Sequence, residues 1–251
     1  MSLPVLYRDE HLVAVHKPAG LLVHRSDIDR RETRFALQLV RDQLGQWVWP
    51  VHRLDRPTSG VLLLALDAET ARRLTETFTS RAVEKRYLAV VRGHPGAAGH
   101  IDYPLTETLD RFADRLVGPD KRPQPALTDY RRLATVELPV PVGRYASARY
   151  ALLELIPQTG RKHQLRRHLK HIFHPIVGDT TYGDGRHNRL FRERFGCERL
   201  LLAATTLTLP HPWTGLPMTI TATPDDSFHA VLEALGWLPA LGRLHEMPPP
   251  G

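Results

Sequence analysis

The 251-residue chain is 42% hydrophobic and 24% charged, close to the average of folded globular domains, which excludes disordered, collagen-like and disulfide-scaffold architectures. Its formal charge of +7 at neutral pH suits a polyanionic partner, although an ordinary solvated surface accounts for the same excess. The single cysteine, Cys197, rules out an internal disulfide framework, and the early charges of Arg8, Asp9 and Glu10 leave no place for a signal peptide or a membrane span; a cytoplasmic protein without membrane association is expected.

In chain order, residues 12–15 and 21–23 read as short strands around the breaker Lys17-Pro18-Ala19-Gly20. Phe35, Leu37, Leu39, Val40 and Leu44 give an imperfect helical stripe, with Gly45 placed as its C-terminal cap. A strand follows over 47–51, then a polar loop, then the continuous apolar run 61–66, which reads as a buried central strand. Asp67 caps a helix whose inner face is Ala71, Leu74 and Phe78, and a strand is expected around 87–91. Residues 93–125 are rich in Gly, Pro and charge and read as an insertion between strands. Strands are predicted over 128–138 and 149–156. Pro157-Gln158-Thr159-Gly160 is a turn launching a helix through Leu165, Leu169 and Ile172. Residues 200–209 and 218–222 form a hairpin, and Phe228, Val231, Leu232 and Leu235 mark a last amphipathic helix ending at Gly236. With no repeat and no clear linker, residues 1–238 read as one α+β domain, and the Pro-rich tail 239–251 as disordered.

The densest polar constellation is His52-Arg53-Leu54-Asp55-Arg56-Pro57-Thr58-Ser59-Gly60, directly before the most hydrophobic strand. Two readings fit it: a capped turn in which Asp55 bonds backbone amides, or an active site built on its carboxylate. A His52–Asp55–Ser59 triad is disfavoured because Ser59 lacks a G-x-S-x-G elbow. His163, His168, His171 and His174 invite a metal reading. No H-E-x-x-H pattern or nearby cysteine supports it, and Lys162, Arg166 and Arg167 would repel a dication, so no metal is expected.

Taken together these residues resemble the RluA-type pseudouridine synthases. The central motif is His52-Arg53-Leu54-Asp55 with Thr58-Ser59-Gly60. Lys17-Pro18-Ala19-Gly20-Leu21-Leu22-Val23-His24 is similar to the family's first motif, and Lys85-Arg86-Tyr87-Leu88 opens its tyrosine motif. Thr159-Gly160-Arg161-Lys162-His163-Gln164-Leu165-Arg166 is similar to the arginine motif, continued by His174-Pro175-Ile176-Val177-Gly178-Asp179 and Tyr182-Gly183. The stretches 120–126, 134–137 and 165–169 resemble the TruC subgroup, which modifies tRNA at uridine 65. Two departures stand out: no N-terminal S4 domain of the kind many relatives carry is expected, and Leu202-Ala203-Ala204 stands where they often show Leu-His-Ala.

The resemblance implies one catalytic domain with a large mixed, mostly antiparallel sheet flanked by helices and loops. It implies isomerisation of uridine to pseudouridine without a cofactor, with tRNA as partner and no obligate protein partner. The same chemistry on ribosomal RNA and a non-catalytic RNA-binding role are the alternatives. It makes Asp55 the catalytic carboxylate, acting as nucleophile at the ribose or as base on a sugar proton. A carboxylate working inside a pocket needs a cationic partner, because burial disfavours its charged form. Arg161 is assigned that place, with phosphate binding at the following helix as its other reading. Tyr87 supplies a flat face for uracil and a hydroxyl, unless it is simply a buried strand aromatic. Arg53 fills the gap left by a flipped base. His52, Thr58, Lys85, Arg166 and Arg167 complete the expected RNA-binding set, with Arg30, Arg31, Lys121, Arg122 and Lys170 as candidates for tracking the backbone.

Overall fold

A computed structural model describes residues 2–24, 33–106, 122–242 and 244. Arg30, Arg31, Lys121, much of the expected insertion and the proline run near the end lie outside them.

The sequence's most apolar run becomes β4 (Ser59–Ala65), in which every residue is buried. It sits inside a ten-stranded sheet. β1 (Val5–Arg8) and β2 (Leu12–Lys17) lead to β4 on one side, with β3 (Trp49–Pro50) also pairing on it. On the other side follow β9 (Leu202–Pro210), β5 (Glu84–Arg92), β8 (Ala148–Pro157), β7 (Leu127–Leu138) and β6 (Ala98–Asp102), while β10 (Pro217–Thr221) pairs with β9. Among the described strands only β4 and β9 run parallel, in register Ser59 to Ala203 and Gly60 to Ala204. The sheet is thus mixed and mostly antiparallel, as expected.

Side chains alternate along β5, so the sheet is covered on both faces. Leu88 and Val90 pack with Tyr150, Phe191 and Phe228, the last two from α4 (Gly185–Phe195) and α5 (Asp226–Ala234). Ala89 and Val91 pack with Leu165 and Leu169 of α3 (Gln164–His171), and Tyr87 joins that cluster. The first half of the sheet is covered by α1 (Ala36–Leu44), through Ala36 and Val40, and by α2 (Ala68–Thr79), through Leu74. Asp67 caps α2 as predicted, its side chain accepting from the Thr70 amide.

β4 and β9 approach so closely that glycine is required between them. Gly60 has φ +113°, and a Cβ there would lie 2.0 Å from the Ala204 carbonyl oxygen. Three expectations are corrected, and one further helix had no expectation. Residues 21–23 form no strand: β2 pairs instead with Val5–Arg8, and Leu22 makes only an isolated bridge to Phe35. The expected insertion contains β6, paired with β7. The segment 185–195, too polar to show a stripe, is helical, opened by the Asp184 side chain and closed by left-handed Gly196. The tail boundary at 239 falls within α6 (Leu238–Leu241), where Ala240 is buried. No helix of the described residues is long and apolar enough to cross a membrane.

Candidate active site

The Asp55 loop is pinned from below by a buried ammonium. Lys17, at the end of β2 and fully buried, donates from Nζ to the carbonyls of Pro18 (2.9 Å), Leu21 (2.7 Å) and Arg56 (3.2 Å). The Gly20 amide donates to the same Arg56 carbonyl, and Arg56 Nε donates to Gly20 O. The breaker after β2 therefore holds the residue next to Asp55 from both sides. Burial brings the Lys17 pKa down to about 7, with the nearby Arg199 charge pushing the same way. Within the loop, the Thr58 amide donates to Asp55 O at 3.0 Å, a turn that leaves the Asp55 carboxylate free of its own backbone.

On the far wall, the turn before α3 is organised by Gln164. Its Oε1 accepts from Thr159 Oγ1 and from the Arg161 amide, while its Nε2 donates to Leu127 O and Thr128 Oγ1. One step along α3, Arg166 makes a bidentate pair with Asp179: Nε to Oδ2 at 2.7 Å and Nη2 to Oδ1 at 2.9 Å. The amides of Thr181 and Tyr182 also donate to Asp179 Oδ1, both at 2.9 Å. Burial alone would raise the Asp179 carboxyl; the hydrogen bonds from Arg166 and these amides hold it below the ordinary range. With two nitrogens so fixed, the third, Nη1, points to Asp55 Oδ2 at 3.4 Å. That is longer than an optimal charge-assisted bond, so Asp55 receives an oriented positive charge without being consumed by it. His163, in a left-handed conformation (φ 55°) at the start of α3, brings Nε2 to 4.0 Å from Asp55 Oδ1 and hydrogen-bonds Tyr182 through Nδ1 at 3.0 Å. Burial lowers the His163 pKa against the pull of Asp55.

These walls enclose a cavity of about 600 Å³, within the usual size for a small-molecule or nucleotide site. Asp55, Arg53, Thr58, Lys85, Tyr87, Arg161, Arg166 and His52 all line it. Tyr87 lies along one wall. Burial raises its phenol well above the ordinary value, and the Asp55 charge adds to that, so it is a neutral hydroxyl donor. Burial lowers Lys85. Arg53 is exposed at the mouth.

Several assigned partnerships change. Arg161 lines the cavity, but its Nε donates to Pro125 O at 3.2 Å, and the cation reaching Asp55 is Arg166. The reason is geometric: Arg161 sits in the turn, outside the helix face that Gln164 anchors, whereas Arg166 projects from that helix towards Asp179 and the loop. His52 lines the cavity, where its ring is also engaged by the fold. Its Nε2 accepts from the Leu63 amide at 2.9 Å, its ring stacks on Phe78 at 5.0 Å, and burial brings its pKa down to about 4. Arg167 lies outside the cavity and donates to Thr106 O. The triad fails, because Ser59 Oγ accepts from Arg199 Nη2 at 2.9 Å and is buried in β4. The four clustered histidines are engaged by other side chains and carbonyls: His163 by Tyr182, His168 by Thr128 and Tyr103 O, His171 by the Tyr103 ring, and His174 by Arg92 O. In the sequence, Asp179, Tyr182, Lys17 and Gln164 stand only inside motifs, with no role of their own. The pairing becomes legible only once Arg166 is known to be buried, since a buried arginine demands a carboxylate such as Asp179.

A family model described as RNA pseudouridylate synthase matches residues 11–171. The tRNA pseudouridine synthase C of Pectobacterium carotovorum subsp. carotovorum is 58% identical over 235 residues, 94% of this chain, which spans 62% of that relative's length. The protein of the same name from Vibrio cholerae is 53% identical over 239 residues, covering 95% of this chain and 98% of its own. Among solved structures, human RNA pseudouridylate synthase domain containing 4 superposes with a TM-score of 0.69 at 29% identity, covering 93% of both chains.

Proposed function

The chain belongs to the RNA pseudouridylate synthase family, and from that premise we propose that it converts uridine 65 of tRNA to pseudouridine in the cytoplasm, with Asp55 as its catalytic carboxylate. The observation that carries this reading is the arrangement at the cavity wall: Asp55 stands 3.4 Å from an arginine that a second, buried carboxylate holds in place, beside the neutral hydroxyl of Tyr87. The tRNA substrate is supported by the names of the relatives, and position 65 by the TruC-like stretches of the sequence.

The reaction is an isomerisation. The bond from uracil N1 to ribose C1′ breaks, the base turns, C5 bonds to C1′, and the C5 proton is lost while N1 gains one, so no oxidant, reductant or net water is needed. Asp55 either bonds C1′ as the glycosidic bond breaks and is displaced when C5 attacks, or takes a sugar proton and returns it when C5 adds. Arg166 Nη1 stabilises the carboxylate and aims it. Tyr87 offers the loosened base a ring face and a donor. Arg53, at the exposed mouth, takes the place of the extracted base in the RNA stack, and Lys85 adds positive charge along the same cavity.

The test is Asp55→Asn, which keeps the side chain's size and removes its power to attack or accept a proton. The variant should bind a tRNA transcript like the parent and form no pseudouridine. Turnover by the variant would overturn the assignment of Asp55. Loss of pseudouridine from ribosomal RNA rather than from tRNA position 65, in cells lacking the protein, would overturn the substrate.

A further inference from the structure

We infer that the C-terminal end of α3 carries a second contact for the RNA substrate, a base-stacking site whose central ring is Phe173. The inference rests on the reading of the substrate as RNA.

Phe173 is 80% exposed, more than any other large hydrophobic side chain among the described residues. It also occupies a position where the backbone disfavours it. After α3 the His174 amide donates to Leu169 O (2.9 Å) and the Phe173 amide to Lys170 O (3.0 Å). This paired capping pattern places the residue after the helix cap in the left-handed region, where glycine is favoured. Phe173 has φ 65°. A phenylalanine here thus carries a backbone penalty while its ring gains little burial in return, so the fold does not explain it.

The surroundings specify the ligand. Two residues earlier, His171 stacks on Tyr103 with ring centroids 3.6 Å apart and planes within 15°, and Tyr103 is itself 40% exposed. Lys170 is exposed and Arg167 is half-buried on the same helix. Exposed ring faces beside cations are the combination that binds single-stranded nucleic acid, the rings taking bases and the cations phosphates. The site is continuous with the catalytic cavity, because the eight-residue α3 that ends here begins there. It therefore stands roughly 12 Å along the helix axis from the cavity, within the footprint of one bound RNA.

Equilibrium binding of unmodified tRNA transcript, initial rates of pseudouridine formation and thermal melting of parent, Phe173→Gly and Phe173→Trp test this. Phe173→Gly should weaken tRNA binding about 5-fold or more, the lower end for losing one base–aromatic stack. KM should rise in parallel, kcat at saturation should hold, and the melting temperature should stay level or rise because glycine relieves the left-handed backbone. Phe173→Trp should restore affinity. Unchanged tRNA affinity in Phe173→Gly would overturn the site and leave the ring to a protein partner. A lowered melting temperature together with weaker binding would overturn it by making the ring part of the fold. A parent that forms no pseudouridine in tRNA but binds it with Phe173-dependent affinity would instead refute the proposed function alone.

Discussion

Replacing Arg166 by methionine separates the two duties of this side chain. Methionine keeps much of the stem, but Asp179 stays buried with only the Thr181 and Tyr182 amides on Oδ1, and Oδ2 loses its guanidinium donor. Removing one partner of a buried ion pair costs about 3–5 kcal/mol; the two remaining amides place this case near the lower end. In a chain of this length about 3 kcal/mol corresponds to roughly 6–12 °C in Tm. Adding Asp179→Asn should recover most of that loss, because the amide carries no buried charge and its oxygen still accepts from both amides. Activity should not return, since Asp55 still lacks its cation. Thermal melts read the first effect, and mass-silent mapping of pseudouridine in a tRNA transcript reads the second. If activity returned with stability in the double variant, Arg166 would serve the fold alone. If Arg166→Met melted like the parent, the buried-pair argument itself would fail.

Arg161→Ala should be much milder than Arg166→Met, since it removes a bond to Pro125 O rather than to Asp55: kcat should hold while KM for tRNA rises, and a collapse of kcat would restore Arg161 to the carboxylate. Gly60→Ala should destabilise the protein by about 4 kcal/mol or more, because the new methyl meets the Ala204 carbonyl in a left-handed backbone; a parent-like melting curve would show that β4 and β9 can part. Acid stability should reflect His168, which is fully buried and whose pKa burial brings down to about 4. The unfolded chain binds that proton from about pH 6.5, so the stability held above that value should be lost as pH falls from 6.5 to 4, at most about 3 kcal/mol for this group. In His168→Gln that part of the pH dependence should disappear from urea-unfolding midpoints.

Legibility in the sequence followed how local each determinant was. β4 was plain because seven consecutive residues are buried and a two-sided strand needs no alternation. α2 was plain because Asp67 and a stripe three and four residues apart announce it. α4 was not, since its contact with the core runs mainly through Phe191 and the rest of its surface is charged. At the site, the loop around Asp55 stood out by its polarity, but its partner lay 111 residues away. Choosing between Arg161 and Arg166 required knowing where the helix began and what it faced. Both are arginines in one motif, and only the second has a buried carboxylate opposite. His52, expected among the RNA-binding residues, shows the same limit, because its acceptor role toward Leu63 depends on strand pairing that spacing does not show.

The parallel contact between β4 and β9 also sets a timetable. Arg199, which holds Ser59, is synthesised 140 residues after it, roughly 7–28 s later at ordinary elongation rates. During that interval the Asp55 loop has emerged from the ribosome with its Lys17 clamp, yet one flank of β4 still has an open edge, and neither Arg166 nor Asp179 is available until most of it has passed. A nascent chain therefore carries the Asp55 loop before the ion pair that reaches it, and the cavity wall is completed only with the last third of the sequence.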